Sequence, residues 1–137
     1  MSATAPVIRN AVRLWLEKLE AGDLCCVAVS GGADSLALAY ALSLEAPKLA
    51  IQLHAVTVDH QLQSTSAAQA ATVVVQMKSL GIETTVVKVS VEITEGLEAS
   101  ARKARYAALD SVGEKLNAVA IFLGHTRDDQ AESVLLG

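Results

Sequence analysis

The sequence predicts an α/β fold, an open and mostly parallel sheet with helices on both faces. Two patterns carry that expectation. Short apolar runs alternate with helix-period segments along the whole chain, and several of those runs are apolar at consecutive residues, as in strands covered on both sides. Composition agrees: 52% of the 137 residues are hydrophobic but only 3% aromatic, and Ala, Leu and Val dominate, as where helices pack closely on a sheet of branched residues. A chain of this length is one ordinary domain, long enough to bury a real core. No internal linker, repeat or low-complexity tract interrupts it.

The elements follow in order. "VIRNAVRLWLEKL" sets Ile8, Val12, Trp15, Leu16 and Leu19 at helical intervals, predicting an amphipathic leading helix over about 6–21 that ends near Gly22. "LCCVAVS" (24–30) is a buried strand closed by glycines, and "DSLALAYALSLEA" is a helix stopped by Pro47. "IQLHAVTVDH" (51–60) is a second strand. "STSAAQAATVVVQMKSLG" is a helix with Ser66 and Gln69 spaced as a capping box and Gly81 as its stop. "ETTVVKVSV" is a third strand, "LEASARKARYAALDSVGEKL" after Gly96 a helix, "AVAIFLGH" (118–125) a fourth strand, and "RDDQAESVLL" the start of another helix.

Open parallel sheets bind ligands beyond the carboxyl ends of their strands, near the point where strand order reverses. The polar clusters sit accordingly: Ser30 to Ser35, Asp59 with His60, and His125 to Asp129 each follow a predicted strand. In "SGGADS" the glycines permit backbone angles and close approach that side chains would block, so successive N–H groups can turn around an anion. The next helix adds its positive N-terminal end. Ser30, Gly31, Gly32, Ala33, Asp34 and Ser35 are therefore candidate phosphate-binding residues, although the same hexapeptide also suits a plain strand-to-helix turn capped by Asp34 or Ser35. It is neither a Walker A loop nor GxGxxG, and no lysine lies inside it.

SGGxDS resembles the signature of the PP-loop ATP pyrophosphatases. That resemblance implies a Rossmann-like, adenine nucleotide α-hydrolase-like fold and an ATP whose pyrophosphate is gripped by the loop. Three further segments, "VDHQLQSTSAAQA", "LEASARKARYAAL" and "GHTRDDQAESVLL", resemble motifs of the N-terminal catalytic domain of the tRNA(Ile)-lysidine synthases, in that family's order. The resemblance runs from about residue 24 to the last residue. It implies ATP-dependent joining of free lysine to C2 of the wobble cytidine of tRNA(Ile) through an adenylated base. It further implies that residues 1–137 are the N-terminal PP-loop ATP-binding domain, cut at its C-terminal end, with most tRNA binding supplied by domains absent here. Gln61 and Gln63 stand where the family has Gly and Arg, and Ser133 where it has Thr.

On this basis Asp34, Arg105 and Asp129 are the expected catalytic residues, with Asp34 and Asp129 holding Mg²⁺ against phosphate oxygens and Asp128 capping its helix. A cap remains the other reading of Asp34. Arg102 and Arg105 share a helix face beside Tyr106. Arg105 matches the second Arg of the signature and suits a phosphate, whereas Arg102 fits equally a solvated pair with Glu98. His60 and His125 are assigned to the nucleotide or cytidine pocket and His54 to the core. The Val56 to Asp59 backbone, with Val58, is expected to border the adenine.

Charge and targeting features narrow the field. Eleven Lys and Arg against fifteen Asp and Glu give a net charge of −4, so no broad electrostatic grip on polynucleotide is expected from this chain. No apolar run approaches the ~20 residues that span a bilayer, and no signal segment opens the chain, so a soluble cytoplasmic protein is expected. Cys25 and Cys26 are adjacent within an apolar run, which points them to opposite faces of a strand as structural residues. Two alternatives accompany the leading reading. One is another PP-loop tRNA-modifying enzyme such as a cytidine thiolase, which would need cysteines to hold an iron–sulfur cluster or carry sulfur. The other is a nucleotide-binding module without catalysis.

Overall fold

The computed structural model describes residues 5–61, 64–91, 96–124 and 131–135. The element order is α1 (Ala5–Leu16), β1 (Leu24–Ala28), α2 (Ala33–Glu45), a 3₁₀ turn (Pro47–Leu49), β2 (Gln52–Asp59), α3 (Ser66–Ser79), β3 (Glu83–Lys88), α4 (Leu97–Leu116), β4 (Ala120–Gly124) and β5 (Ala131–Leu135). The strands form one sheet in the order β3-β2-β1-β4-β5. The first four are mutually parallel: Val27 pairs with Ala55 of β2 and with Phe122 of β4, while β3 runs beside β2. From β1 the chain moves outward to β2 and β3, then returns across the sheet to β4. Strand order therefore reverses between β1 and β4.

Side-chain alternation along the strands divides the core into two layers. Cys25, Val27 and Val29 of the β1 segment, Ala55 of β2 and Phe122 of β4 pack with Val12 and Leu16 of α1, Leu38 and Leu42 of α2, and Val73 and Met77 of α3. Cys26, Val56, Ile121 and Leu123 meet Leu109 and Val112 of α4 on the opposite face. The two cysteines thus point to opposite faces, both fully buried. Burial pushes the Cys25 thiol up to about 12, with repulsion from Cys26 adding to it, and burial likewise raises Cys26 to about 11.

Most sequence expectations hold at the ends of elements. Pro47 follows α2 and opens the 3₁₀ turn. Gly81, at φ +77°, closes α3 with Ile82 N–H donating to Met77 O and Gly81 N–H to Lys78 O, the double bond pattern that a left-handed residue allows. Three expectations fail. Helix α1 ends at Leu16, not near 21, because its last turn tightens into i→i−3 bonds from Lys18 to Trp15 and Leu19 to Leu16. The capping box does not form: Thr65 is the N-cap and makes no side-chain cap bond, so Ser66 sits inside the first turn, where a capping side chain does not belong. The helix expected from "RDDQAESVLL" is replaced by β5, antiparallel to β4. A five-residue run such as Ala131–Leu135 has no periodicity strong enough to exclude a strand, and pairing satisfies the otherwise open edge of β4.

Helices α1 and α2 are joined by an ion cluster. Glu45, 2% exposed, accepts from Arg9 at 2.7 and 2.8 Å, Arg13 at 3.3 Å and Lys48 at 3.3 Å. The Arg9 hydrogen bond holds the Glu45 carboxyl down at about 2, against the upward push of burial and with help from Lys48.

Candidate functional site

A cavity of about 160 Å³ opens at the carboxyl ends of β1, β2 and β4. Ala28 to Ser30 continue β1 onto its wall, Val56 to His60 supply the β2 side, and Leu123 the β4 side. Three helices close it: Ser35 from α2, Ser66, Gln69 and Ala70 from α3, and Arg105, Tyr106 and Leu109 from α4.

The first strand-to-helix junction is fastened by its two serines. Ser30 N–H donates to Ser35 Oγ at 3.1 Å, Gly32 N–H to Ser30 Oγ at 3.3 Å, and Ser35 O–H to Gly32 O at 3.1 Å, with the two hydroxyl oxygens 3.2 Å apart. Gly31 makes the turn possible at φ +93°, a region that residues with a Cβ rarely enter. Gly32 is the N-cap of α2 in extended geometry, with no side-chain cap. A glycine turn of this form leads the backbone into the positive end of a thirteen-residue helix, a geometry suited to an anion. Asp34 lies half-buried in the first turn of α2.

The cationic side of the site is on α4. Arg105 Nε is buried and has no hydrogen-bond partner, although Arg105 lies on the cavity wall. Its guanidinium carbon stands 5.6 Å from the centre of the Tyr106 ring, and that of Arg102 stands 5.0 Å from the same ring. Arg102 also donates to Tyr106 Oη at 3.1 Å. In this arrangement Arg102 is exposed and leans on Tyr106, four residues on. A buried guanidinium N–H without an acceptor is unfavourable, and an anionic ligand in the cavity would supply the missing partner.

Several predicted site residues meet here. Ser30, Ser35, Val58, His60 and Arg105 share the wall, as do Val56 to Asp59. Gly31, Gly32, Ala33 and Asp34 belong to the loop and the start of α2 but not to the wall. His125, Asp128 and Asp129 lie outside the described residues. His54, assigned to the core, lies within β2 but is only half-buried and outside both core layers, its Nε2 2.7 Å from Thr85 Oγ1. The sequence reading missed Gln69 and Tyr106 as wall residues. The capping-box spacing assigns Gln69 to the helix start. Its side chain instead lies over the glycine turn, within 3.6 Å of where a Gly31 Cβ would stand. Among the described residues, no group of three His, Cys, Asp or Glu converges as a metal site; Asp34 is the acidic side chain within the loop, and Asp59 the acidic side chain on the wall. One carboxylate is compatible with Mg²⁺, which commonly takes only one or two together with phosphate oxygens.

Comparison with known proteins places this geometry. The tRNA(Ile)-lysidine synthase of Thermobifida fusca is 51% identical over 95% of this chain, and that of Streptomyces coelicolor is 52% identical over 87%. The chain spans only 40% and 34% of those proteins. Among solved structures, the U34-tRNA thiolase of Methanococcus maripaludis superposes with a TM-score of 0.77 at 21% identity, over 90% of this chain and 45% of the other. That likeness establishes a common fold. A model of the PP-loop domain matches residues 6–137, which takes in the glycine turn, both layers of the core and every wall of the cavity, and the chain belongs to the PP-loop domain family.

Proposed function

We propose that this chain is the ATP-binding catalytic domain of a tRNA(Ile)-lysidine synthase, working in the cytoplasm with lysine and the wobble cytidine of tRNA(Ile) as co-substrates. The observation that carries the reading is identity of about one half to two proteins of that name across nearly the whole chain. The unpartnered Arg105 Nε supports an anionic nucleotide in the cavity. At about 160 Å³ the cavity is smaller than the roughly 300–1,000 Å³ of whole-ligand pockets. It therefore takes the recessed part of the nucleotide, against Val56 to His60, with the phosphates running over the Ser30–Ser35 loop.

In this reading the cytidine O2 attacks the α-phosphorus, forming an O–P bond as the bond to pyrophosphate breaks. The lysine amine then forms a bond to C2, the C2–O bond breaks, and AMP leaves with that oxygen. Loop amides and the α2 N-terminus hold the phosphates, and Arg105 stabilises charge on them. His60 and His125 border the nucleotide or cytidine. Mg²⁺, held by Asp34 and Asp129, would neutralise phosphate charge when bound. Positioning and charge compensation supply most of the rate, since phosphoryl chemistry asks little covalent help from the protein. A thiolase reading finds no support in the cysteines, because Cys25 and Cys26 are fully buried on opposite faces of β1.

The test has two stages. Calorimetric titration of ATP with Mg²⁺ into the chain should give saturable binding. A chimera carrying residues 1–137 in place of the matching part of the T. fusca relative should then incorporate labelled lysine into tRNA(Ile). A chimera that binds ATP but incorporates no lysine would leave a nucleotide-binding module and remove the ligase reading.

A further inference from the structure

We infer that Asp59 is a positioning residue of the cavity, whose carboxylate locks the left-handed turn at Gln61 and thereby fixes the wall formed by the end of β2. The inference rests on the nucleotide reading of that cavity.

Asp59 is 4% exposed and on the wall. Its Oδ1 accepts Gln61 N–H at 2.9 Å, the two-residue reach of an Asx turn. Gln61 has φ +59°, a conformation uncommon for any residue with a Cβ and persistent only where neighbouring groups impose it. A second strut comes from the segment after β3. Val89 N–H donates to Asp59 O at 2.9 Å, and Gln61 Nε2–H donates back to Val89 O at 3.2 Å. Asp59, Gln61 and Val89 thus form a clasp across the carboxyl ends of β2 and β3. His60 stands between the two clasped residues and faces the cavity.

Glycine would adopt this turn unaided, so in this chain the lock substitutes for a residue without a Cβ. That substitution makes the role separable from direct ligand contact. If Asp59 acts through the turn, replacing Gln61 by glycine must make the carboxylate dispensable. A carboxylate that touches the nucleotide or its cation would be missed regardless of residue 61.

Amide hydrogen exchange at Gln61 and ATP titration are to be measured on wild type, Asp59→Asn, Asp59→Ala and Asp59→Ala/Gln61→Gly. Loss of one net hydrogen bond predicts that Asp59→Ala speeds exchange at Gln61 and weakens ATP binding, each by about five- to tenfold. Asp59→Asn keeps the accepting oxygen and should stay within about threefold of wild type in both, and the double variant should recover ATP affinity to a similar margin. The inference is overturned if Asp59→Asn loses as much affinity as Asp59→Ala, or if glycine at 61 restores none of it. Should Asp59→Ala not fold, Asp59→Asn decides alone: retained protection and affinity support the lock, and their loss overturns it. Failure of the wild type to bind ATP would instead remove the nucleotide reading, and exchange at Gln61 would still decide whether Asp59 sets the turn.

Discussion

Replacing Arg105 by methionine should move stability and ligand affinity in opposite directions. In the free protein Arg105 Nε is a buried donor with no acceptor, and such a group costs about 1–3 kcal/mol. Methionine keeps much of the aliphatic stem and removes that donor. Against this stands the cation–π contact with Tyr106 at 5.6 Å, worth about 0.5–1 kcal/mol at a partly exposed site. The difference predicts stabilisation of about 0 to 2.5 kcal/mol, and each kcal/mol is worth about 4 °C in melting temperature for a domain of this size. Binding should respond the other way. A charge-assisted hydrogen bond to phosphate contributes about 1.5–3 kcal/mol, so ATP affinity should fall by roughly 10- to 150-fold. Urea unfolding and ATP calorimetry on the same preparations read both effects. A variant destabilised by more than about 1 kcal/mol with ATP affinity intact would refute the reasoning, because Arg105 would then be a structural residue with satisfied bonds.

The two loop glycines should separate cleanly. At Gly31 a methyl would find ordinary contacts near 3.6 Å, but φ is +93°, so the backbone decides: Gly31→Ala should destabilise by about 1–2 kcal/mol in thermal melts and disrupt ATP binding. Gly32, in extended geometry with its nearest atom at 3.5 Å, should accept alanine within about 0.5 kcal/mol of wild-type stability; equal losses at both positions would contradict the backbone argument. Glu45 has its folded pKa lowered from 4.5 to about 2. Its contribution to stability is therefore complete above pH 4.5 and disappears as pH falls through about 2. Glu45→Gln should flatten the stability profile measured by urea unfolding across that window, and an unchanged slope would speak against the ion cluster. Cys25 and Cys26, fully buried and with thiols raised to about 12 and 11, should resist a thiol reagent at pH 8 until denaturant is added, then titrate as two groups; prompt labelling of either would contradict their burial.

The strands and helices around the cavity were legible because each has one dominant local signal. LCCVA is apolar at every position, and its neighbours on both sides of the sheet bury it as such a run demands. Gly31 and Gly81 mark their turns through a positive φ that other residues rarely adopt, and Pro47 marks its turn by stopping the helix before it. What escaped the sequence depends on neighbours distant along the chain. Ser66 and Gln69 have capping-box spacing, yet Gln69 is drawn toward the Gly31 turn from another element, a contact that no local pattern encodes. The Ala131–Leu135 segment pairs with β4 instead of continuing as a helix, since an open strand edge offers hydrogen bonds that outweigh weak periodicity. Gln61 is a further case: its identity argues against a left-handed turn, and the turn exists because Asp59 and Val89 hold it.

The charge balance of the chain bears on a site built from backbone and a single guanidinium, that of Arg105. A chain with net charge −4 repels a polyphosphate at long range, and at physiological salt that repulsion is screened beyond about 8 Å. Attraction must therefore be short-ranged. A helix N-terminus contributes only about 0.3–1 kcal/mol toward an anion, too little alone to hold several phosphate charges. On the nucleotide reading, charge-assisted bonds from Arg105 and the loop would add about 1.5–3 kcal/mol each, acting only at short range. The same balance leaves little for a polynucleotide, whose affinity is dominated by phosphate neutralisation. This chain alone should hold tRNA weakly. A submicromolar dissociation constant for tRNA at physiological salt, measured with residues 1–137 only, would show that a cationic surface exists here which the charge count denies.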